Sequence, residues 1–331
     1  MCGIVGYIGE QQAAPILLAG LAKLEYRGYD SAGISVRDEE TGNIEIVKAK
    51  GRLRTLIEKT DEGHSVKGTC GIGHTRWATH GEPSENNAHP HCSDDKNVVL
   101  VHNGIIENFQ ELKEKLVKRG YTFYSETDTE VAVKLIDHYY KKTASPLTAI
   151  ATAMLHIRGS YAFGVLFKDY PGKVFAARKD SPLIIGKNET GSLIASDVPA
   201  ILDQTRNVYY IGNMEIAELT KDEIHFYNTD EEEIEKEMVE IKWDAEAAEK
   251  GGYEHFMLKE IHEQPKAVQD TVGAYVKDNV VDFSEIGLTD EDLAGIERVY
   301  IVGCGSAYHV AMAAKYVLED MTQVPVEIDI V

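Results

Sequence analysis

Cysteine is scarce. The chain carries four in 331 residues, Cys2, Cys70, Cys92 and Cys304, too few and too irregularly spaced for a disulfide framework. Long apolar runs are also missing: nothing approaches the ~18 consecutive apolar residues of a membrane span. The start lacks a basic segment followed by a long apolar one, so it does not read as a secretory leader, and the expected address is cytoplasmic. Positive charge is in the minority. With 34 Lys and Arg against 55 Asp and Glu, the net charge is −21. That balance repels nucleic acid and anionic membrane surfaces, yet allows a small anion in a locally basic pocket. The length suits about two domains of ~100–200 residues each.

The opening Met1-Cys2-Gly3-Ile4-Val5-Gly6-Tyr7 organises what is present. If Met1 is removed, Cys2 becomes the amino terminus. One residue then joins a thiol to an α-amine whose ordinary pKa of ~7.7–8.0 lets it accept a proton near neutrality. A thiol with a built-in base is an activated nucleophile. Ile4, Val5, Tyr7 and Ile8 read as a buried strand that would hold it. The plain alternative is an ordinary second-position cysteine in an edge strand.

Residues 12–25 have helical spacing, with Ile16, Leu17, Leu21 and Leu24 on one face and Pro15 in the first turn. A turn-rich segment, Leu24 to Gly33, leads into a strand at Ile34–Val36 and a hairpin partner at Ile44–Val47. The block Gly71 to Pro83 starts as a strand and ends as a loop that runs on to His91. Its Arg76 can fork onto a carboxylate. The strand Val98–His102 runs into Asn103-Gly104, which is either a hairpin turn or a pair of oxyanion donors, a side-chain amide and a backbone N–H. Thr127-x-x-Glu130 is a capping box that opens a helix. Asp128 there either complements the helix dipole or holds a substrate ammonium. Short strands dominate from Ala162 to Phe226, and the whole suggests two sheets covered by helices. Asp230 to Lys250 is acidic and reads as a solvated linker. Helix is expected over 253–277, interrupted near Pro265. Arg298–Val302 reads as a continuous buried strand, followed by the turn Gly303-Cys304-Gly305-Ser306-Ala307 and a helix, the opening of a βαβ unit.

Three segments together resemble the class II glutamine amidotransferases, which are N-terminal-nucleophile hydrolases. They are Cys2-Gly3-Ile4-Val5-Gly6, His74-Thr75-Arg76-Trp77-Ala78-Thr79-His80-Gly81, and His102-Asn103-Gly104-Ile105-Ile106-Glu107-Asn108. The Leu24–Gly33 segment and the turn at Gly303 resemble those members joined to a sugar-isomerase (SIS) domain. The resemblance implies a four-layer αββα sandwich over residues 2–220, linker and helices over 221–290, and the truncated start of a doubly wound α/β SIS domain over 291–331. It implies that Cys2 attacks the side-chain amide of L-glutamine, while Asn103 and Gly104 form the oxyanion hole. Arg76 would bind the α-carboxylate with Thr79 and His80 beside it, and Asp128 the α-ammonium. Trp77 would shield the site and gate ammonia, with Arg27 and His89 in support. In a full-length homodimer the ammonia would pass to fructose 6-phosphate. Ser306 is a candidate for the sugar phosphate, although its turn has one hydroxyl fewer than the family pattern. No cofactor is implied.

Zinc is the competing reading of His74, His80, His89, His91 and Cys92, since imidazole and thiolate suit that ion. Their spacings match no compact zinc pattern, and no metal is expected. Two further alternatives stand: the amidotransferase half of a different synthase, or a non-catalytic sugar-phosphate-binding module that keeps the fold.

Overall fold

The structure, a computed structural model, describes residues 2–242, 252–277, 280–283 and 286–330. Met1, whose removal would free the Cys2 amine, lies outside the described residues. The chain divides into two compact units, the first running to Glu249 and the second starting at Lys250.

The first unit runs β1 (Gly3–Gly9), α1 (Ala13–Leu24), β2 (Ser31–Arg37), β3 (Ile44–Lys50), α2 (Leu53–Lys59), β4 (Cys70–Arg76), β5 (His91–Cys92) and β6 (Val98–Ile106). Next come α3 (Phe109–Val117), α4 (Asp128–Thr143), α5 (Pro146–His156), β7 (Gly159–Phe167), β8 (Val174–Lys179), β9 (Ile184–Asn188) and β10 (Gly191–Ala195). It ends with β11 (Asn207–Tyr210), β12 (Glu215–Leu219), β13 (Ile224–Asn228), β14 (Glu233–Ile234) and β15 (Val239–Glu240). The strands make two sheets. One has the order β15-β11-β9-β10-β1-β4-β2-β3, the other β14-β13-β12-β8-β7-β6-β5.

Strand alternation sorts the side chains into layers, because successive residues point to opposite faces. On β1, Val5 and Tyr7 pack with Leu17, Leu21 and Leu56 of α1 and α2. Ile4 and Ile8 pack the other way, against Val99, Val101, Ala162 and Leu166 of the second sheet. On β6 and β7, Val98, Leu100, Phe163 and Val165 join Leu112, Val133, Ile136 and Ile150 of the three following helices. The result is helix, sheet, sheet, helix, the expected αββα sandwich. Gly164 of β7 lies at the inner layer, where a Cβ would sit 3.0 Å from Val101 Cγ2 and 3.5 Å from Ile72 Cγ2.

Several local expectations change. The first unit continues beyond residue 220, and β14 and β15 take up part of the acidic stretch expected to be linker. Both β14 and β15 are sheet edges, where charged side chains can face water. Asn103-Gly104 is not a turn, since β6 pairs with β7 straight through it. Thr127 caps α4 by accepting from Glu130 N at 3.2 Å. The return half of the capping box is absent, because the Glu130 carboxylate accepts from Tyr124 N (2.9 Å) and Ser125 N (2.6 Å) instead.

The second unit contains α6 (Phe256–Tyr275), the short pair β16 (Val276–Lys277) and β17 (Val280–Val281), α7 (Asp290–Ala294), β18 (Val299–Gly303), α8 (Gly305–Thr322) and β19 (Val326–Ile330). α6 is unbroken at Pro265: the proline removes one backbone donor and leaves the turns on either side in place. β18 and β19 are parallel and α8 joins them, so the βαβ opening is present. β18 is not a buried strand. Tyr300 and Val302 are exposed, as expected of a sheet with two strands among the described residues.

Candidate active site

Cys2 leads into β1, which lies inside its sheet between β10 and β4. The edge-strand alternative therefore fails. The Cys2 Sγ is 3.3 Å from Trp77 N–H and 3.5 Å from Trp77 O. Burial pushes the thiol pKa up, and the Trp77 backbone contact pulls it partly back. The Cys2 carbonyl accepts from Asn103 Nδ2 at 3.0 Å. Cys2 and the Asn103 amide thus meet although they come from different sheets. Gly104 follows with φ +121°, and a Cβ there would run into the Ser160 carbonyl. Only glycine takes that conformation without strain.

Arg76, at the end of β4, is buried. Its guanidinium donates to the carbonyls of His80, of Gly81 (3.1 Å) and of Glu82 (3.3 Å), and lies 3.9 Å from Asp30 Oδ1. Asp30 in turn accepts from Ala78 N, so one arginine and one aspartate shape the 76–82 loop. Trp77 on that loop is 46% exposed and meets Tyr29 edge-on, ring centroids 5.2 Å apart. Thr79 Oγ1 is 3.3 Å from His80 Nδ1. His80 Nδ1 also lies 3.9 Å from Asp128 Oδ1.

Asp128 is 4% exposed, and its Oδ2 accepts from Ile106 N at 2.9 Å. Among the described residues no lysine or arginine pairs with it. Arg27 donates to Ser196 O at 3.2 Å and pairs with Asp197 at 3.5 Å. Ser196 Oγ accepts from Ile4 N at 3.0 Å, so Arg27 steadies the strand behind Cys2. Ser306 is in the first turn of α8, in the second unit. Every other expected site residue joins the chain of contacts that starts at Cys2, His89 through the ring described next.

Behind the site lies a buried ring of histidines and one threonine whose proton directions can be deduced. The His102 main-chain N–H donates to His89 Nδ1 at 3.3 Å, so the His89 proton is on Nε2. That nitrogen faces Thr129 Oγ1 at 3.1 Å, so the hydroxyl proton goes on to His102 Nδ1 at 2.9 Å. The circuit ties β6 to the first turn of α4, one residue from Asn103 at one end and from Asp128 at the other. His91 continues the network, Nδ1 to Tyr124 OH (3.0 Å) and Nε2 to Thr127 Oγ1 (3.1 Å). Both of its nitrogens are occupied, and no group of three His, Cys, Asp or Glu side chains among the described residues is arranged to hold a metal ion.

Burial holds these histidines neutral: His74 is pushed down to about 3, His89 and His91 well below the ordinary value, and His102 down as well. Such a group binds fewer protons folded than unfolded, so stability rises with pH across the interval between its two pKa values. Acid should therefore weaken the fold steeply below pH ~6.5, by roughly 1 kcal/mol per pH unit for each buried histidine. Urea midpoints at pH 7.5, 6.0 and 5.0 measure this. A midpoint flat across that range would contradict it.

The sequence did not single out Asp30, His102 or Thr129, whose partners are tens of residues away in the chain. From sequence, His74 stands out only as a candidate zinc ligand.

The glutamine amidotransferase domain family matches residues 74–203. The chain is 53% identical over 331 residues to a glutamine–fructose-6-phosphate aminotransferase (isomerizing) of Caldanaerobacter subterraneus, covering 100% of this chain and 54% of that protein. The same-named protein of Clostridium acetobutylicum is 52% identical, with the same coverages. The chain thus spans about half the length of these curated relatives. Among solved structures, a glutamine phosphoribosylpyrophosphate amidotransferase of B. subtilis has a TM-score of 0.62 at 20% identity over 99% of this chain and 65% of its own, a likeness of fold. An allosteric regulatory enzyme of purine biosynthesis has a TM-score of 0.59 at 26% identity, over 69% of this chain and 49% of its own. This chain is therefore homologous along its whole length to part of the glutamine–fructose-6-phosphate aminotransferases, and within its first unit residues 74–203 match the glutamine amidotransferase domain family.

Proposed function

We propose that this site hydrolyses L-glutamine to glutamate and ammonia. One observation carries the reading: a buried carboxylate that pairs with no lysine or arginine among the described residues, Asp128, and a buried guanidinium engaged mainly with neutral carbonyls, Arg76, lie on one connected site with the Cys2 thiol. A zwitterionic amino acid needs one fixed anion, one fixed cation and a nucleophile apart from both. Buried charges of this kind are stable only when a partner completes them.

In the proposed reaction the Arg76 guanidinium takes the α-carboxylate, and Asp128 takes the α-ammonium, with Thr79 and His80 beside them. The Cys2 sulfur attacks the side-chain amide carbon. Its proton passes to the Cys2 α-amine once Met1 is removed. The negative charge that develops on the amide oxygen is met by Asn103 Nδ2 and Gly104 N–H. The C–N bond breaks, ammonia leaves with a proton, and a thioester remains. Water hydrolyses the thioester to glutamate and restores the thiol. Trp77 covers the site, and Arg27 and His89 support it from behind.

We extend the proposal to the whole polypeptide on the strength of the relatives' name: in a chain of their length, acting as a homodimer in the cytoplasm, the ammonia goes to fructose 6-phosphate. The β18-α8-β19 segment is then the start of the SIS sugar-isomerase domain, and Ser306 a contact for its phosphate. No helix among the described residues is long and apolar enough to cross a membrane, which accords with that location.

The test is intact-mass analysis before and after exposure to a glutamine-mimicking electrophile, with glutamate release assayed in parallel. Loss of Met1, one adduct mapped to Cys2 and protection by excess glutamine are expected. A folded, processed chain that stays unmodified and releases no glutamate would overturn the reading.

A further inference from the structure

We propose that His74 is a positioning residue for the oxyanion amide: its Nε2–H, shared between His102 O and Asn103 Oδ1, fixes which end of the Asn103 side chain faces Cys2. This deepens the glutaminase reading and rests on it.

His74 Nε2 lies 2.9 Å from the main-chain carbonyl of His102 and 3.0 Å from Asn103 Oδ1. A carbonyl oxygen only accepts, so Nε2 must carry the ring proton. The Asn103 atom beside the same proton must then be an acceptor, which is its oxygen. A second anchor gives the same answer independently. The other end of the amide faces the Cys2 carbonyl at 3.0 Å, also an acceptor, so that end must be the NH2. Turned over, the amide would set its oxygen against the Cys2 carbonyl and its NH2 against the His74 Nε2–H, losing both bonds. A single tautomer of His74 therefore turns the amide donor toward the Cys2 main chain.

The position of His74 suits this role. It is on β4, paired in register with Ile4 of β1, in the sheet that carries Cys2. Asn103 is on β6 of the facing sheet. The ring thus spans the interlayer space and connects β4, the neighbour of the Cys2 strand, to the strand that carries Asn103. His74 is fully buried and stacks on His89 with centroids 4.0 Å apart, which leaves the ring little freedom. Among the described residues its buried Nδ1 has no hydrogen-bond partner, and burial pushes its pKa down to about 3. The site bears the cost of an orphaned nitrogen, as a ring chosen for its single donor would require.

The experiment is a double-mutant cycle on glutamine hydrolysis with His74→Leu, Asn103→Ala and the pair, plus His74→Gln, whose amide N–H can replace the donor. His74→Leu alone should lower kcat by about 10–100-fold, less than outright loss of an oxyanion donor, with KM nearly unchanged. Added to Asn103→Ala it should cost no more than about threefold, because the residue it positions is gone. His74→Gln should recover part of the loss. Full additivity in the double variant, or a loss confined to KM, would overturn the proposal. Nitrogen-15 spectra of the unmutated chain read the tautomer directly, whether or not His74→Leu folds. A proton on Nδ1 would overturn the assignment. If the unmutated chain releases no glutamate, the glutaminase reading fails by itself, and the catalytic role assigned to His74 fails with it. The tautomer remains readable, so the two failures are distinguishable.

Discussion

Asn103→Ala is expected to reduce glutamine turnover by about 10²–10³-fold while leaving KM within a few-fold of its starting value, the loss measured for a single oxyanion donor. Charge develops on the amide oxygen only as the Cys2 sulfur bonds to carbon, so the donor acts in the transition state and not in the ground-state complex. The groups proposed to hold the amino acid, Arg76 and Asp128, do not touch the amide: Asn103 contacts Cys2 O and His74 Nε2. Truncation should therefore leave substrate affinity nearly intact. Asn103→Asp keeps the shape but puts an acceptor where the donor stood, and should be at least as damaging. Steady-state assay of glutamate release separates kcat from KM. A fall of less than about tenfold would mean that the Gly104 N–H alone carries the charge.

Lys134→Met should cost about 3–5 kcal/mol of stability, the range for breaking a buried ion pair from one side. The Lys134 and Glu130 side chains are both 0% exposed and 2.8 Å apart. Lys134 Nζ also reaches Asp94 at 2.8 Å and the Thr122 carbonyl. Methionine fills much of the same volume but leaves the Glu130 charge without its cation. An apolar residue at both positions would not fully restore the fold here. Glu130 also accepts from Tyr124 N and Ser125 N, and those donors would be orphaned at about 1–3 kcal/mol each. Urea unfolding of the single and double variants tests both statements. Because the same carboxylate holds the 122–127 segment against α4, which begins at Asp128, Lys134→Met should also raise KM for glutamine. A shift below about 1 kcal/mol would show that water replaces the lysine, as at an exposed pair.

Local signals served the fold well. The spacing of Ile16, Leu17, Leu21 and Leu24 placed α1, and the fold brings the Cys2, Arg76, Asn103 and Asp128 blocks together. Legibility failed where the deciding partner is distant or where charge hides a strand. Glu130 has the spacing of a capping box, but two main-chain donors upstream and Lys134 outcompete the reciprocal bond. Glu233 and Glu240 sit in strands at sheet edges, and their acidity looked like linker because edge strands need only one apolar face. Tyr300, Ile301 and Val302 look like an interior strand by composition, yet composition reports what a strand can bury and not what covers it. The bond between His74 and Asn103 crosses from one sheet to the other, and no local pattern encodes such a crossing.

That crossing turns the inner apolar layer into a gauge. Cys2 rides on one sheet and Asn103 on the other, so the gap between the proposed attacking atom and the proposed charge-stabilising group is set by the thickness of the packing beneath them. Ile4, Ile72, Val101, Ala162 and the bare Gly164 form that spacer. Close-packed interiors respond to a change of even one methylene, and well-placed catalytic groups lose rate when displaced by about 1 Å. In this fold a methyl group added or removed between the sheets is a change in reaction geometry as well as a change in stability.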